Sequence, residues 1–117
     1  MSFQSGRAGW QNAAVTYGGD ARQEALRLVR GVLRGAPPKT LDPTRQHDLL
    51  RMCDEIDEAE RRRRAAYDRF ERAEYLAATE QVRERVYALA SALGTILPDQ
   101  RALAMRLVES DGRREAG

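Results

Sequence analysis

At 117 residues, 42% hydrophobic and 32% charged with a formal net charge of +2, the chain has the size and composition of one folded domain. Its single cysteine, Cys53, excludes an internal disulfide, its N-terminus lacks the apolar run of a signal peptide, and no stretch approaches 18 uninterrupted apolar residues, so the expectation is a cytoplasmic protein that does not enter a membrane. Only seven residues are aromatic, two Phe, four Tyr and Trp10, which leaves a core of Ala, Leu and Val suited to helices rather than sheets. Nineteen arginines against the single Lys39 are read as a coding bias, the expectation being a GC-rich bacterial or phage genome.

Residues 1–19 scatter Gly6, Gly9, Gly18 and Gly19 among small polar residues and are expected to form a flexible arm, with Phe3, Trp10 and Tyr17 as its anchoring side chains. Asp20 and Gln23 make a capping box, and Ala25, Leu26, Val29, Val32 and Leu33 recur at helical spacing up to Gly35, which predicts a first helix over 21–34. "GAPPK" then reads as an extended linker, and "LDPT" starts a second helix with Asp42 as N-cap and Pro43 at the first helical position.

From there a seven-residue repeat places Leu49, Ile56, Arg63, Phe70 and Ala77 at one seam position and Met52, Ala59, Ala66 and Ala73 at another. No Gly or Pro interrupts the chain between Pro43 and Gly94. The apolar set nevertheless changes face between Ala77 and Val82, a five-residue step that turns the stripe by roughly 140°. Two readings follow: a helical hairpin that turns back near Ala78, Thr79 and Glu80, which the change of face favours, or one continuous helix whose two halves meet different neighbours, the seam continuing in either case through Val82, Val86, Leu89 and Leu93. Pro98 ends that segment, Asp99 caps a short fourth helix, and residues 112–117 fray. The predicted fold is all-α, an elongated hairpin or bundle of about four helices over 20–111.

The run Arg61–Arg64 invites a nucleic-acid reading, but four consecutive helical residues cover about 300° of arc and cannot make one basic face. Acids one turn earlier pair Asp57 with Arg61, Glu58 with Arg62, Glu60 with Arg64 and Asp68 with Arg72. Arg63 falls on the seam, where a charge fixes register or partner choice. The basic end is instead residues 1–40, with six bases against two acids. There Arg27, Arg30 and Arg34 share a stripe on the first helix, and Arg7 and Trp10 of the arm add a charge and a stacking surface.

Catalytic chemistry is thinly represented. His47 and Cys53 are six residues apart, about 120° around a helix, which separates them as a dyad or metal pair, and Asp54, Glu55, Asp57 and Glu58 have no histidine partners. No catalytic group, metal or cofactor is predicted. The stretch "LPDQRALAMRLVES" resembles the opening of the DNA-reading domain of bacterial sigma factors, where such a helix precedes a helix-turn-helix. The resemblance covers fourteen residues, with no groove-reading helix after them, and supplies neither a family nor a site.

Two functions are consistent with these features. The first is a non-enzymatic helical interaction module, a regulatory or assembly factor. Its seam of Leu49, Met52, Ile56, Arg63, Phe70, Val82, Val86, Leu89 and Leu93 is completed by a second copy of the chain and by another protein. The second is nucleic-acid binding through Arg7, Trp10, Arg27, Arg30 and Arg34.

Overall fold

The structure, a computed structural model, describes residues 21–111. Among them are four α-helices and no strand: α1 (Ala21–Gly35), α2 (Pro43–Asp68), α3 (Arg72–Ile96), one turn of 3₁₀ helix (Pro98–Gln100) and α4 (Arg101–Glu109). The all-α architecture is the one the periodicity predicts. The flexible arm, its Asp20 cap and the fraying tail lie outside the described residues.

Each helix contributes one stripe to a common core. Ala25, Leu26, Val29 and Leu33 come from α1, Leu49, Cys53, Ile56 and Ala59 from α2, Val82, Val86, Leu89 and Leu93 from α3, and Leu107 from α4. All are buried, because three- and four-residue steps keep side chains on one face of a helix. The α1–α2 linker is not extended as "GAPPK" suggests. The amides of Thr40 and Leu41 both donate to the Pro37 carbonyl at 2.9 Å, and the resulting turn drops Leu41 into the core. Asp42 then caps α2 as expected, its carboxylate accepting from the Arg45 amide at 2.9 Å, with Pro43 opening the helix. Asp99, in contrast, does not cap α4. The turn of 3₁₀ helix intervenes, and the N-cap position falls to Gln100, which makes no side-chain cap.

The hairpin turns at Arg69–Glu71, nine residues before the predicted position. Phe70 takes a left-handed backbone, φ 57°. The Phe70 amide donates to the Tyr67 carbonyl at 3.1 Å and the Glu71 amide to the Ala66 carbonyl at 2.9 Å, the paired bonds of a Schellman ending. Glycine is the usual occupant of that position because it has no Cβ to clash. With phenylalanine there, nothing in the sequence marks the turn. The break also explains the change of face: α3 begins its own register, with Ala78, Val82, Val86, Leu89 and Leu93 buried, while Ala73 and Ala77 are exposed. It also separates Asp68 from Arg72, so that predicted i,i+4 pair has no helix to support it.

α1 runs antiparallel to α2. The Gln46 side chain donates to the Leu33 carbonyl near one end, and Arg22 pairs with Glu60 at the other. α4 folds back along α3, where Ala104 lies against Gly94, and finishes at Ser110 beside the same Arg22. The four helices thus form a base that ends near Glu60. Beyond it α2 and α3 continue alone as a two-helix stalk for ten residues or so each, about 15 Å at helical rise. Small side chains at Ala66 and Ala78 line its buried seam, and Arg62 reaches across it to Gln81 at 3.1 Å. The molecule measures 55 × 28 × 27 Å, with a radius of gyration of 16.0 Å against about 13 Å for a compact chain of this length.

Candidate functional site

The nine seam residues divide into three groups. Leu49, Ile56, Val82, Val86, Leu89 and Leu93 are 0–1% exposed within the single chain, and Met52 is half-buried against them. The expectation that one chain is too narrow to cover this seam is therefore corrected. α1 and α4 fold onto the base of the hairpin and cover it, a cover that needs tertiary contacts no single-helix periodicity reveals. Arg63 is half-buried and bonds Glu60 at 2.8 Å, its stem along the helix and its charge paired. Phe70 is 92% exposed.

Phe70 sits at the extreme of the stalk. Below it Tyr67 and Leu76 are more than half exposed, and the Tyr67 and Tyr75 rings meet across the hairpin at 5.8 Å between centroids. Beside these apolar groups one pair of charges is joined. Arg69 bonds Glu71 at 2.8 Å, which raises the Arg69 pKa and lowers that of Glu71 through their shared hydrogen bond. Glu58 serves both Arg61 at 2.7 Å and Arg62 at 3.8 Å, and the Arg61 hydrogen bond holds its carboxyl below the usual range. Of the four predicted acid-first pairs only Glu58–Arg62 forms. Asp57 and Glu60 are drawn instead to α1. The tip is thus an apolar cap beside the Arg69–Glu71 pair.

The root of the stalk holds a feature that the sequence reading missed. Arg22 is 2% exposed and joins three elements: an ion pair to Glu60 on α2, a hydrogen bond to the Ser110 carbonyl at 3.1 Å, and an ion pair to Asp111 at 3.3 Å. Glu60 also holds Arg63, so the acid is shared between a buried and a half-buried guanidinium. The signal was present, because Arg22 lies on the same helical stripe as Leu26, Val29 and Leu33. A charged residue on an apolar stripe, like Arg63, belongs to the seam and needs a buried partner.

The predicted basic stripe on α1 is largely neutralised by its own surroundings. Arg27 bonds Glu24 at 2.6 Å. Arg30 bonds Asp54 at 2.8 Å and Asp57 at 2.9 Å. Burial works against the Arg30 charge, but those two carboxylates outweigh it, and its pKa lies above the ordinary value. Among the described residues only Arg34 of the three has no carboxylate partner. Arg7 and Trp10 lie outside the described residues.

His47 is exposed whereas Cys53 is buried beneath α1, so the two face different surroundings. Burial pushes the Cys53 thiol up to about 11, and the raised value fixes the sign of its linkage to folding. Its contribution is complete below the unfolded thiol pKa, about 8.5, and declines as pH rises towards 11. At pH 8 a disulfide reagent should accordingly label Cys53 only as fast as the protein unfolds. Prompt stoichiometric labelling of the native protein would show the site to be open. Among the described residues no three His, Cys, Asp or Glu side chains gather into a metal-binding group, and no helix is long and apolar enough to cross a membrane.

Comparison of the chain with models of protein families, with curated proteins and with solved structures finds no match in any of the three.

Proposed function

We propose that the protein is a non-enzymatic helical interaction module, a small cytoplasmic regulatory or assembly factor whose base holds the α2–α3 hairpin outward so that a protein partner covers its tip. One observation carries the reading. Phe70 adopts a backbone that costs a non-glycine residue about 1–2 kcal/mol, and it gains no burial in return. A strained, 92% exposed aromatic at the end of a stalk is unfavourable for the isolated chain and is compensated on binding, where an aromatic anchor in a pocket contributes most of an interface's energy. Tyr67 and Leu76 extend the same surface. The partner is a second copy of this chain, making a homo-oligomer, or another protein. It does not meet the residues of the covered seam. The nucleic-acid reading has less support, since of Arg27, Arg30 and Arg34 only Arg34 keeps its charge unpaired among the described residues.

The test separates folding from binding at a single residue. Phe70→Gly removes both the aromatic and the backbone strain, so it should raise stability by up to about 1 kcal/mol while abolishing association. Sedimentation at tens of micromolar reads self-association, and titration with a captured partner reads the alternative. Equal affinity of the native protein and Phe70→Gly for every partner would sink the proposal.

A further inference from the structure

The stalk prolongs the face of the hairpin that α1 and α4 cover in the base. Leu76 lies eighteen residues, about five full turns, before Gly94, which faces Ala104 of α4. On α2, Tyr67 lies the same distance after Leu49 of the core, and Arg64 the same distance after Gln46, whose side chain reaches the Leu33 carbonyl of α1. In the stalk nothing among the described residues replaces the two covering helices, and Tyr67 and Leu76 are more than half exposed.

Two charges of opposite sign stand on the same face. Asp57, which bonds Arg30 of α1, precedes Arg64 by about two turns and Asp68 by about three, so both face the side that α1 covers lower down. Arg64 and Asp68 are exposed, and neither has an ion-pair partner among the described residues, Asp68 acting on Arg69 only through space. Arg62 meets Gln81 and the Tyr67 ring meets that of Tyr75, a pairing that sets residue 66 level with Leu76 near the middle of the stalk. Arg64 and Asp68 therefore flank the midpoint symmetrically.

We infer that the occupant of this face is a second copy of the chain, its stalk laid antiparallel on this one, an inference that rests on the proposed function and names its partner. In a two-fold contact, residue i of one copy meets residue j of the other, and j meets i. An axis through the stalk midpoint sets Arg64 of each copy opposite Asp68 of the other and brings the two Leu76 side chains together over the covered Tyr67 rings. That self-complementarity selects a second copy over an unrelated protein. Each hairpin gives the other the two helices that α1 and α4 give the base, so the paired stalks become a four-helix section between two bases. Both stalks are about 15 Å long, and Phe70 of each copy thus reaches the root of the other, where α4 ends.

The test is a charge exchange read by sedimentation of the full chain at low ionic strength and tens of micromolar. The native protein should be a dimer. Arg64→Asp and Asp68→Arg each set like charges opposite one another twice per pair, and each should weaken self-association about tenfold or more while the helical circular dichroism is kept. Mixed in equal amounts, the two variants regain both ion pairs in a heterodimer, and the double variant regains them in a homodimer. A residue that only supported the fold would give no such recovery. A native protein that stays monomeric would overturn the second copy while leaving the tip open to another protein. A dimer that Phe70→Gly abolishes but neither charge variant weakens would overturn the antiparallel pairing and retain the tip as the contact. A dimer weakened and rescued by the charge variants yet indifferent to Phe70→Gly would support the pairing and remove the role proposed for the tip.

Discussion

Arg22→Ala is expected to lower the stability of the fold by about 3 kcal/mol, although the residue is a surface-type side chain near the start of the first helix. The change removes two ion pairs and the bond to the Ser110 carbonyl at once, and it leaves Asp111 without its guanidinium. Glu60 retains Arg63 and some contact with water, which keeps the loss at the lower end of the range for a broken buried pair. Arg22→Met separates packing from charge. It restores most of the aliphatic volume, so its cost beyond any residual packing loss is electrostatic. A double-mutant cycle with Glu60→Ala should give a coupling of at least about 1 kcal/mol. Urea denaturation measures all of these, and a loss under about 0.5 kcal/mol for Arg22→Ala would show that the clasp contributes nothing.

Leu107→Ala should cost about 3–4 kcal/mol, at the upper part of the range for a fully buried leucine. α4 has only nine residues, too few to hold a helix alone in water, and Leu107 and Ala104 are its buried side chains. Losing Leu107 therefore loosens the helix as well as opening a cavity. The effect reaches the clasp, because the Ser110 carbonyl and Asp111 are carried by the end of α4. Leu107→Ala and Arg22→Ala are expected to be less than additive when combined, since each removes part of what the other needs. Simple additivity would mean that α4 stays docked through the 3₁₀ corner and Leu97 alone. By comparison Leu76→Ala, on the open side of the stalk, should alter stability by no more than about 0.5 kcal/mol.

The elements were legible wherever local chemistry writes its own signal. Asp42–Pro43 marked the start of α2, Pro98 marked the end of α3, and the stripe from Ala25 to Leu33 gave α1. What was not legible depends on contacts distant in sequence. Whether the seam residues Ile56 and Val86 face a second chain or their own α1 and α4 is undecided by a seven-residue period, which reports a face and not what covers it. The turn at Phe70 lacked the glycine that normally announces a Schellman ending, so the change of stripe after Ala77 was visible while the bend that produces it was not. Acids near the arginine run were assigned to their nearest helical neighbours. Asp57 and Glu60 answer to Arg30 and Arg22 because α1 lies over that stretch of α2. The same residue pattern concealed the clasp and suggested a basic stripe that α2 largely neutralises.

The contact between Arg22 and Asp111 has a practical corollary for handling the molecule. The first and last turns of the described chain meet, so its path is almost a closed loop. A short linker from residue 111 to residue 21 would complete a ring, and new ends could then be opened in the surface turn at Pro37–Thr40, giving a circular permutant with the same core. Affinity tags joined directly at residue 21 or residue 111 of a chain trimmed to those residues emerge at the root of the stalk. Spacers there should be long enough to leave the hairpin unobstructed, whereas an attachment in the Pro37–Thr40 turn keeps the far end of the molecule free.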